Sequence, residues 1–444
     1  MDIEDTRRRA TASLDPSRRA ELGQFFTPSA IASHMAAMFT PSGRPVRLLD
    51  AGAGVGCLLH AAASRMEVER IDAWEVDGNL VGPLSATLAN TAVPFEIHHT
   101  DFVLDAARLL ASGHRFDRAI MNPPYRKIGN TSVHRKALED LGVKTVNLYT
   151  AFLATALLVM EEGGEVVAIV PRSFLNGLYH KPFRRFMLSH ASLDAIHVFN
   201  SRRSAFSEDS VLQENVIVKL SKAGVQRSVV VSTSTDASFS DVHSSSSPFH
   251  AIVRPEDDNL FIRIPAGTAD TDGASLAALG MTVSTGPIVE YRVRGSVTDD
   301  EAAIPLVTPK HLASSGFTHP SSLARANRLA RGHAVDSDAW PIGDYVVVKR
   351  ISSKESKRRI LAYHLRSEDF DGTDVAFENH LNVFHSGKRG LPPSVAARLC
   401  AYLNSEAADA EFRSISGSTQ VNATDLRAMT YPSCLAAGIE PEAV

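Results

Sequence analysis

Seven short segments rich in aliphatic and β-branched residues recur between Val46 and Leu220, and this recurrence most constrains the fold. Stretches with helical character separate them. The segments read VRLLDAG, RIDAWEVD, FEIHHTD, FDRAIMNPP, GEVVAIVP, LDAIHVFN and ENVIVKL. Regular alternation of strands and helices is typical of a parallel, doubly wound α/β sheet. This part of the chain is therefore predicted to be a Rossmann-like domain.

One of the intervening stretches, from Asn147 to Met160, has a nearly continuous apolar face. It is predicted to be a helix that covers the sheet. Gly163 and Gly164 follow it and are predicted to end the helix, because glycine is favoured just beyond a helix C-terminus.

The length of 444 residues predicts two domains, because single hydrophobic cores stop growing at about 250 to 300 residues. The strand–helix alternation ends after Leu220, and a serine-rich stretch follows at residues 232–247. We expect a catalytic domain over residues 1–222, a linker or loop over 223–250, and a separate α+β domain over 251–444.

The composition excludes several classes of protein. A net charge of −4 excludes a uniformly basic nucleic-acid coat, so any polyanion must bind a local basic patch. Three cysteines without paired spacing favour a reducing cytoplasm over a disulfide framework or a zinc site. The longest apolar run, Ala151 to Met160, is too short to span a bilayer, and the first residues fit neither a secretory signal nor a transit peptide. A soluble protein without a membrane partner is predicted.

The first three strand-like segments each end in residues suited to a nucleoside. Gly52, Gly54 and Gly56 let the backbone approach a ligand, although the third glycine comes one residue too early for the G-x-G-x-x-G dinucleotide fingerprint. Glu75 suits a ribose diol, and Asp101 with Phe102 offers an adenine a carboxylate and a ring. A tight turn at the glycines, and a surface or helix-capping role for the acids, are the alternatives.

The fourth segment ends in Asn122, Pro123, Pro124 and Tyr125. Proline lacks an N–H and has a fixed φ, so the carbonyls of this corner are held rigidly and remain able to accept hydrogen bonds from a ligand. A simple turn would account for the prolines. It would not account for the preceding amide and the following aromatic ring.

Together these motifs resemble the S-adenosylmethionine-dependent amino-methyltransferases that modify N6 of adenine. The segment LGQFFTPSAIASHMA, Leu22 to Ala36, resembles the cofactor-binding segment that precedes the glycine loop in gamma-class DNA enzymes of type II restriction–modification systems. The order of segment, glycine loop, corner and C-terminal domain is also similar. The resemblance covers nearly the whole chain and is strongest up to residue 220.

This resemblance implies S-adenosylmethionine as cofactor and no metal. It places Thr27 at the cofactor carboxylate, Asp50 and Ala51 beside the methionine part, and the strand-end acids at the ribose and adenine. Leu148 and Phe152 would wall the adenine pocket, with ordinary core packing as the alternative. The implied cofactor-binding residues are Phe26, Thr27, Asp50, Ala51, Gly52, Gly54, Glu75, Asp101, Phe102, Asn122, Leu148 and Phe152.

The catalytic residues implied are Asn122, Pro123, Pro124 and Tyr125. Adenine N6 is a poor nucleophile because its lone pair is conjugated into the ring. The Asn122 oxygen and the Pro123 carbonyl would accept the N6 hydrogens and polarise the amine, while Tyr125 would stack on the purine. The target base would have to be flipped out of the duplex.

One position departs from the family pattern. Leu220 stands where some members carry an aromatic residue that covers the other face of the flipped base, and Phe199 or Phe206 is a possible substitute. In the same region Arg202 and Arg203 are candidates to hold a target-strand phosphate, with solvated surface charge as the alternative.

The C-terminal part contains a basic region from Arg325 to Arg359, with nine Lys or Arg against four Asp or Glu. Such a region can neutralise DNA phosphates, although a solvated charged face is the alternative. Gln420 and Asn422 suit adenine edges in the major groove, but Asn422 also fits the start of a helix. The predicted DNA-binding residues are Arg202, Arg203, Lys349, Arg350, Lys354, Lys357, Arg358, Arg359, Gln420 and Asn422.

The predicted function is a site-specific DNA adenine-N6 methyltransferase, the protective half of a restriction–modification system. Its partner would be double-stranded DNA, bound as a monomer in the bacterial cytoplasm near the nucleoid, with a cognate endonuclease that forms no stable complex. The alternatives are methylation of RNA adenine or protein glutamine at the same corner, and a non-catalytic DNA-binding specificity module. A nicotinamide oxidoreductase would leave the corner unexplained.

Overall fold

The computed structural model describes residues 3–15, 25–199, 214–265, 273–313, 316–352, 356–416 and 420–436. The chain divides into two compact units, Met1–Arg263 and Ile264–Val444. Within the described residues, no helix has both the length and the apolar character needed to cross a membrane.

A nine-stranded sheet forms the centre of the first unit, in the order β3-β2-β1-β4-β5-β7-β6-β8-β9. Each of the seven predicted segments forms one of its strands, which confirms that prediction. The strands are β1 Val46–Asp50, β2 Val68–Trp74, β3 Phe95–His98, β4 Phe116–Met121, β5 Met160–Pro171, β6 Ala191–Phe199, β7 Asn215–Lys222, β8 Val229–Ser234 and β9 His243–Ser247.

The sheet is mixed and not wholly parallel, which corrects the prediction of a parallel sheet. β7 lies between β5 and β6 and runs antiparallel to both. Consecutive antiparallel strands such as β6 and β7 need no crossover helix between them. The register sets Asn215 opposite Pro171, so β7 begins at the edge where β5 ends.

Helices flank this sheet. The apolar side chains of Ile31, Leu59 and Leu84 pack with sheet residues such as Ile120 and Ile217 in one buried cluster. The sequence interpretation of a two-sided α/β layer structure is therefore confirmed. The helices are α1 Ile3–Ser13, α2 Ser29–Ala37, α3 Cys57–Ala63, α4 Gly78–Ala89, α5 Phe102–Ser112, α6 Val133–Asp140, α7 Leu148–Val159, α8 Lys181–His190 and α9 Phe249–Ile252.

The end of α7 differs from the prediction. The helix stops at Val159, and Gly163 and Gly164 lie inside β5. Gly163 has φ +77°, and a Cβ on Gly164 would lie 3.0 Å from the carbonyl oxygen of Phe116. The two glycines therefore allow an irregular start of β5 against β4 and do not end the helix.

The serine-rich stretch also differs from the prediction of a linker. β8 pairs with β6, and the serines of β9 pair with β8, so residues 229–234 and 243–247 extend the sheet. Ser232 and Ser234 share hydrogen bonds with the buried ring of His197. Two serines of β8 thus satisfy a buried histidine of β6, and the compact unit extends to Arg263.

The second unit is mixed α and β, in agreement with the predicted fold class. It has a four-stranded sheet in the order β10-β20-β17-β18, a five-stranded sheet in the order β11-β15-β12-β19-β16, and the pair β13-β14. The elements are β10 Thr282–Thr285, β11 Val297–Thr298, β12 Ile304–Val307, β13 Leu312–Ala313, β14 Gly316–Phe317, β15 Arg328–Leu329, α10 His333–Asp336, β16 Trp340–Pro341, β17 Tyr345–Lys349, β18 Ala362–Leu365, β19 Asp374–Phe377, β20 Leu381–His385, α11 Pro393–Leu403, α12 Glu406–Ile415 and α13 Ala423–Arg427.

Candidate functional site

A cavity of about 210 Å³ lies in the first unit, where β1, β2, β3 and β4 end. Ligands of open α/β sheets bind outside the carboxyl ends of the strands, so the position suits a binding site. The predicted site residues that line it are Phe26, Ala51, Gly52, Gly54, Glu75, Asp101, Phe102, Asn122, Pro124, Leu148 and Phe152. The remaining lining residues are Phe25, Val76, Leu80, Thr100, Arg126 and His134.

The glycine loop after β1 is tied to the end of β2. The Gly54 amide donates to Glu75 Oε2 at 2.8 Å. Gly54 has φ +56°, and a Cβ there would lie 3.1 Å from the Phe26 ring. Glycine is therefore required both for the backbone conformation and for the close approach of Phe26.

Asp50, the last residue of β1, is fully buried and does not line the cavity, although its neighbours Ala51 and Gly52 do. Its Oδ1 accepts a hydrogen bond from the Gly52 amide at 3.2 Å, whereas its buried Oδ2 has no partner. Burial, with a smaller contribution from the nearby Glu75 charge, raises the pKa of Asp50 to about 8. A buried carboxylate oxygen without a donor fits a ligand that carries a cationic amino group.

Glu75 and Asp101 line the cavity while also bonding to the backbone. Glu75 Oε1 accepts from the Asp77 amide at 2.8 Å, and burial raises the pKa of Glu75 above its usual value. Asp101 caps α5 by accepting from the Val103 amide at 2.9 Å, which is the helix-capping alternative left open by the sequence. Its second oxygen lies 2.9 Å from His134 Nε2. Both carboxylates are thus held in fixed orientations.

Thr27 is not among the lining residues of this cavity. It is buried, and its hydroxyl accepts a hydrogen bond from Asn122 Nδ2 at 3.1 Å. The family resemblance implied a contact between Thr27 and the cofactor carboxylate, which stays a prediction. The hydrogen bond from Asn122 connects Thr27 with the Asn-Pro-Pro-Tyr corner.

At that corner the Asn122 amide is oriented from three sides. Nδ2 also donates to the Phe25 carbonyl at 2.8 Å, and Oδ1 accepts from the Tyr125 hydroxyl at 2.9 Å. Because Asn122 Nδ2 donates to both the Phe25 carbonyl and the Thr27 hydroxyl, the orientation of the side-chain amide is fixed. The amide oxygen retains a second lone pair for an incoming N–H.

The ring of Tyr125 lies between two other aromatic rings. Phe25 is stacked at a centroid distance of 6.3 Å with an interplanar angle of 29°, and Tyr149 meets Tyr125 edge-on at 6.2 Å. Burial raises the pKa of the Tyr125 hydroxyl, so this group is a neutral donor at physiological pH. Phe25 immediately precedes the predicted Phe26 and is itself a lining residue.

Leu220, at the position where some family members carry an aromatic residue, does not lie at the edge of the sheet where β5 ends. Leu220 is fully buried in β7 opposite Val166, five residues from Asn215 at the site edge, and strands rise about 3.3 Å per residue. Phe199 is also buried, and its ring packs against the Phe239 ring at a centroid distance of 5.7 Å. Phe206 lies outside the described residues.

Several lining residues were missed by the sequence analysis, and only some carried a local signal. Val76 and Thr100 directly adjoin the predicted Glu75 and Asp101. Val76 follows the acidic residue at the end of β2, so its position in the sequence could have indicated that it contacts a ligand. His134 carried no such signal, because 33 residues separate it from Asp101.

The second unit separates the predicted basic residues into two groups. Lys357 and Arg358 are exposed. Arg359 is 2% exposed with its guanidinium over the Phe412 ring, and Lys349 Nζ donates to the Leu312 carbonyl. Arg350 donates to the Asn379 carbonyl. These last three side chains are engaged inside the unit, contrary to a role as free phosphate ligands.

The two predicted base readers also differ. Gln420 is exposed. Asn422 occupies the N-cap position of α13, and its side chain donates to Asp425 Oδ2 at 3.2 Å without capping the helix. Asn422 therefore lies at the start of a helix, which is the alternative to base reading that the sequence left open. Arg202, Arg203 and Lys354 lie outside the described residues.

The fold and the cavity define a Rossmann-like methyltransferase, and comparison with known proteins identifies its family. The model for the Eco57I restriction-modification methylase matches residues 72–206. The chain is 44% identical over 442 residues to the type II methyltransferase M.BsuBI of Bacillus subtilis, covering 94% of this chain and 88% of that protein. It is 36% identical over 460 residues to the type II methyltransferase M.PstI of Providencia stuartii, covering 97% of this chain and 91% of that protein.

The chain belongs to the type II methyltransferases of restriction–modification systems. A solved structure of the type IIL restriction-modification enzyme MmeI in complex with DNA shares the fold, with a TM-score of 0.50 and 10% identity over 86% of this chain and 65% of that one. The resemblance inferred from the sequence, and the assignment as a methyltransferase, are confirmed.

Proposed function

We propose that the protein transfers a methyl group from S-adenosylmethionine to N6 of an adenine flipped out of double-stranded DNA. The observation that carries this proposal is the oriented Asn122 amide, whose oxygen lies at the corner beside the cavity. Adenine N6 carries two hydrogens and needs acceptors. A rigid amide oxygen next to free proline carbonyls supplies them.

The residues around the cavity fit the proposed cofactor. Asp50 offers its unpartnered buried Oδ2 to the cationic amino group, and Glu75 retains acceptor capacity for the ribose hydroxyls. Phe102 and Phe152 supply apolar surface for the adenine ring. When bound, the cofactor supplies an electrophilic methyl group on a positively charged sulfur.

The Asn-Pro-Pro-Tyr corner accepts hydrogen bonds from the target amine and orients the target base. Asn122 Oδ1 and the Pro123 carbonyl accept the N6 hydrogens, which moves the nitrogen toward tetrahedral geometry and frees its lone pair. Tyr125 holds Asn122 Oδ1 and presents its ring to the purine. The reaction is a direct displacement that requires positioning and no covalent enzyme intermediate. The N6–methyl bond would form as the methyl–sulfur bond breaks, and the methylated amine would then lose one proton to solvent.

Recognition of the DNA is assigned to the second unit. The exposed Lys357 and Arg358 neutralise phosphates, and the exposed Gln420 suits an adenine edge. The proposed biological role is protection of DNA from a cognate restriction endonuclease that forms no stable complex with this protein. We propose that it binds DNA as a monomer, near the nucleoid in the bacterial cytoplasm.

RNA adenine and protein glutamine also present an N–H₂ group that such a corner accepts. The second unit favours a nucleic acid over protein glutamine, since a separate domain of this size with exposed cations serves a long polyanionic substrate. The family relationship to restriction–modification enzymes favours DNA over RNA.

The test incubates the full-length protein with methyl-tritiated S-adenosylmethionine and, separately, with plasmid DNA, total RNA and a protein extract. Labelled DNA is then digested to nucleosides and separated. We expect label in DNA alone and in N6-methyldeoxyadenosine. Label in RNA or protein without label in DNA would reject the proposal, and label in methylcytosine would reject the assigned target atom.

A further inference from the structure

The loop after β5 carries two adjacent apolar side chains that face solvent. Leu178 is 49% exposed and Tyr179 is 82% exposed, within a short 3-10 turn at Leu178–His180. Large apolar side chains exposed together need an explanation when the backbone that carries them is well anchored. We call these two residues the Leu178–Tyr179 tip.

The backbone on both sides of the tip is firmly held. The fully buried Arg184 donates to the carbonyls of Phe174 and Gly177, at 2.7 and 2.8 Å. A Cβ on Gly177 would lie 2.7 Å from the Ser173 carbonyl oxygen, so the turn is closed too tightly for any other residue. The tip is therefore a fixed projection, and its exposure follows from this anchoring.

The residue that follows the tip is connected to the catalytic corner. His180, directly after Tyr179, is buried and shares a hydrogen bond of 3.1 Å with the Tyr149 hydroxyl. The Tyr149 ring in turn meets the Tyr125 ring at a centroid distance of 6.2 Å. The backbone that carries Tyr179 is therefore anchored, through His180 and Tyr149, to the corner that would receive the target base.

The charge around the tip suits a polyanion. Between Arg172 and His190 the sequence contains four Lys or Arg and no Asp or Glu. Arg184 is buried and Arg172 lies 3.7 Å from Glu214, so Lys181 and Arg185 carry the positive charge near the tip. Arg185 on α8 is exposed, and so is Lys127, which follows the corner. An apolar projection within a basic surface is the arrangement found where proteins insert a side chain between the bases of DNA.

We infer that Tyr179 inserts into the DNA base stack beside the extruded adenine and stabilises the flipped state. This inference rests on the proposed function and adds a positioning residue to it. Flipping leaves a gap in the stack, and an aromatic ring on a rigid projection replaces part of the lost stacking. The phenol hydroxyl is not required, because stacking uses the face of the ring.

The experiment begins by mapping the methylated sequence in DNA treated with the wild-type protein. Failure to methylate DNA at this stage would reject the proposed function itself. Two duplexes are then made, one with the target adenine paired to thymine and one with it mispaired and already weakly stacked. Single-turnover methyl transfer is measured on both with the wild-type protein, Tyr179→Ala and Tyr179→Phe.

Tyr179→Ala is expected to slow transfer about tenfold on the paired duplex and much less on the mispaired one, because the mispaired base costs less to extrude. Tyr179→Phe is expected to match the wild-type protein. In parallel, 2-aminopurine at the target position should show lower fluorescence with Tyr179→Ala, since fewer bases are unstacked.

Val225→Ala is the matched control, because Val225 is 80% exposed and follows the far end of β7. It should leave both rates unchanged. Equal losses on the two duplexes, or no loss with Tyr179→Ala, would overturn the inference. A Phe variant as slow as the Ala variant would do so as well, since it would assign the effect to the hydroxyl. Unchanged melting temperatures exclude misfolding.

Discussion

The side-chain nitrogen of Asn122 donates a hydrogen bond to the Thr27 hydroxyl at 3.1 Å, although 95 residues separate them in the chain. Together with the bond to the Phe25 carbonyl, this contact turns the Asn122 oxygen toward Tyr125 and the site edge. The segment before α2 therefore sets the orientation of the proposed catalytic amide.

Thr27→Val should lower kcat and leave the apparent affinity for S-adenosylmethionine nearly unchanged. Valine keeps the shape of threonine but loses the acceptor for Asn122 Nδ2. Loss of one such hydrogen bond costs about 0.5 to 1.5 kcal/mol, so a decrease in kcat of about 2- to 13-fold is expected. Steady-state kinetics with varied cofactor concentration would measure both parameters.

Thr27→Ser is the matched control, since it keeps the hydroxyl and should retain most of the activity. The family resemblance implied that Thr27 touches the cofactor carboxylate. In that case Thr27→Val would raise the KM for the cofactor, and the positioning role argued from the contacts would be wrong.

Asn122→Ala should abolish most transfer while the cofactor still binds. Removing one preorganised hydrogen-bonding group from a reacting centre typically costs about 10²- to 10³-fold in kcat. Cofactor affinity, measured by isothermal titration, should change little because the acids of β1 and β2 remain. Asn90→Ala, on an exposed asparagine after α4, is the control expected to keep full activity. Turnover of Asn122→Ala at the wild-type rate would disprove the role of the corner.

Local sequence was sufficient for the strands and for the residues directly at their ends. Apolar runs fix the strands of a buried sheet, and parallel strands bring their ends together, so Glu75, Asp101 and Asn122 could be grouped without a structure. Contacts between distant segments could not be found in this way. The contacts of Asn122 with Thr27 and of Asp101 with His134 depend on how separate elements pack.

Strand direction and burial were the other sources of error. The sequence of β7 does not reveal that it runs antiparallel between β5 and β6, and this direction places Leu220 far from the site. In the basic region, Arg359 looks equivalent to Arg358. Only the packing against Phe412, on a helix that follows later, shows that Arg359 belongs to the core.

Asp50→Asn should stabilise the free protein increasingly as the pH rises. The pKa of Asp50 is raised from 3.8 to about 8 in the folded protein, so the folded state holds more protons than the unfolded state between these values. The free energy of unfolding of the wild-type protein therefore falls with pH through this window, by at most about 1.4 kcal/mol per pH unit from this group. Asparagine removes that contribution. Denaturant unfolding of the cofactor-free protein at several pH values would measure the difference.

The same substitution should weaken cofactor binding, since the neutral amide cannot replace a charged acceptor for the amino group. A charge-assisted hydrogen bond contributes about 1.5 to 3 kcal/mol, which corresponds to about a 10- to 100-fold change in Kd. Asp140→Asn, at an exposed position at the end of α6, is the control. A stability difference between Asp50→Asn and the wild-type protein that does not vary with pH would contradict the protonation argument.

Substitutions in the basic region of the second unit should separate DNA binding from folding. Lys357→Ala and Arg358→Ala remove exposed charges, so they should weaken DNA binding, and each lost phosphate contact should reduce the slope of log K against log salt by about 0.9. Arg359→Ala removes a buried guanidinium stacked on Phe412, so it should lower the melting temperature instead. Arg294→Ala, an exposed cation outside this region, controls for net charge. Binding isotherms at several salt concentrations and thermal unfolding would measure both effects. If Lys357→Ala and Arg358→Ala left the salt dependence unchanged, this surface would not contact phosphates.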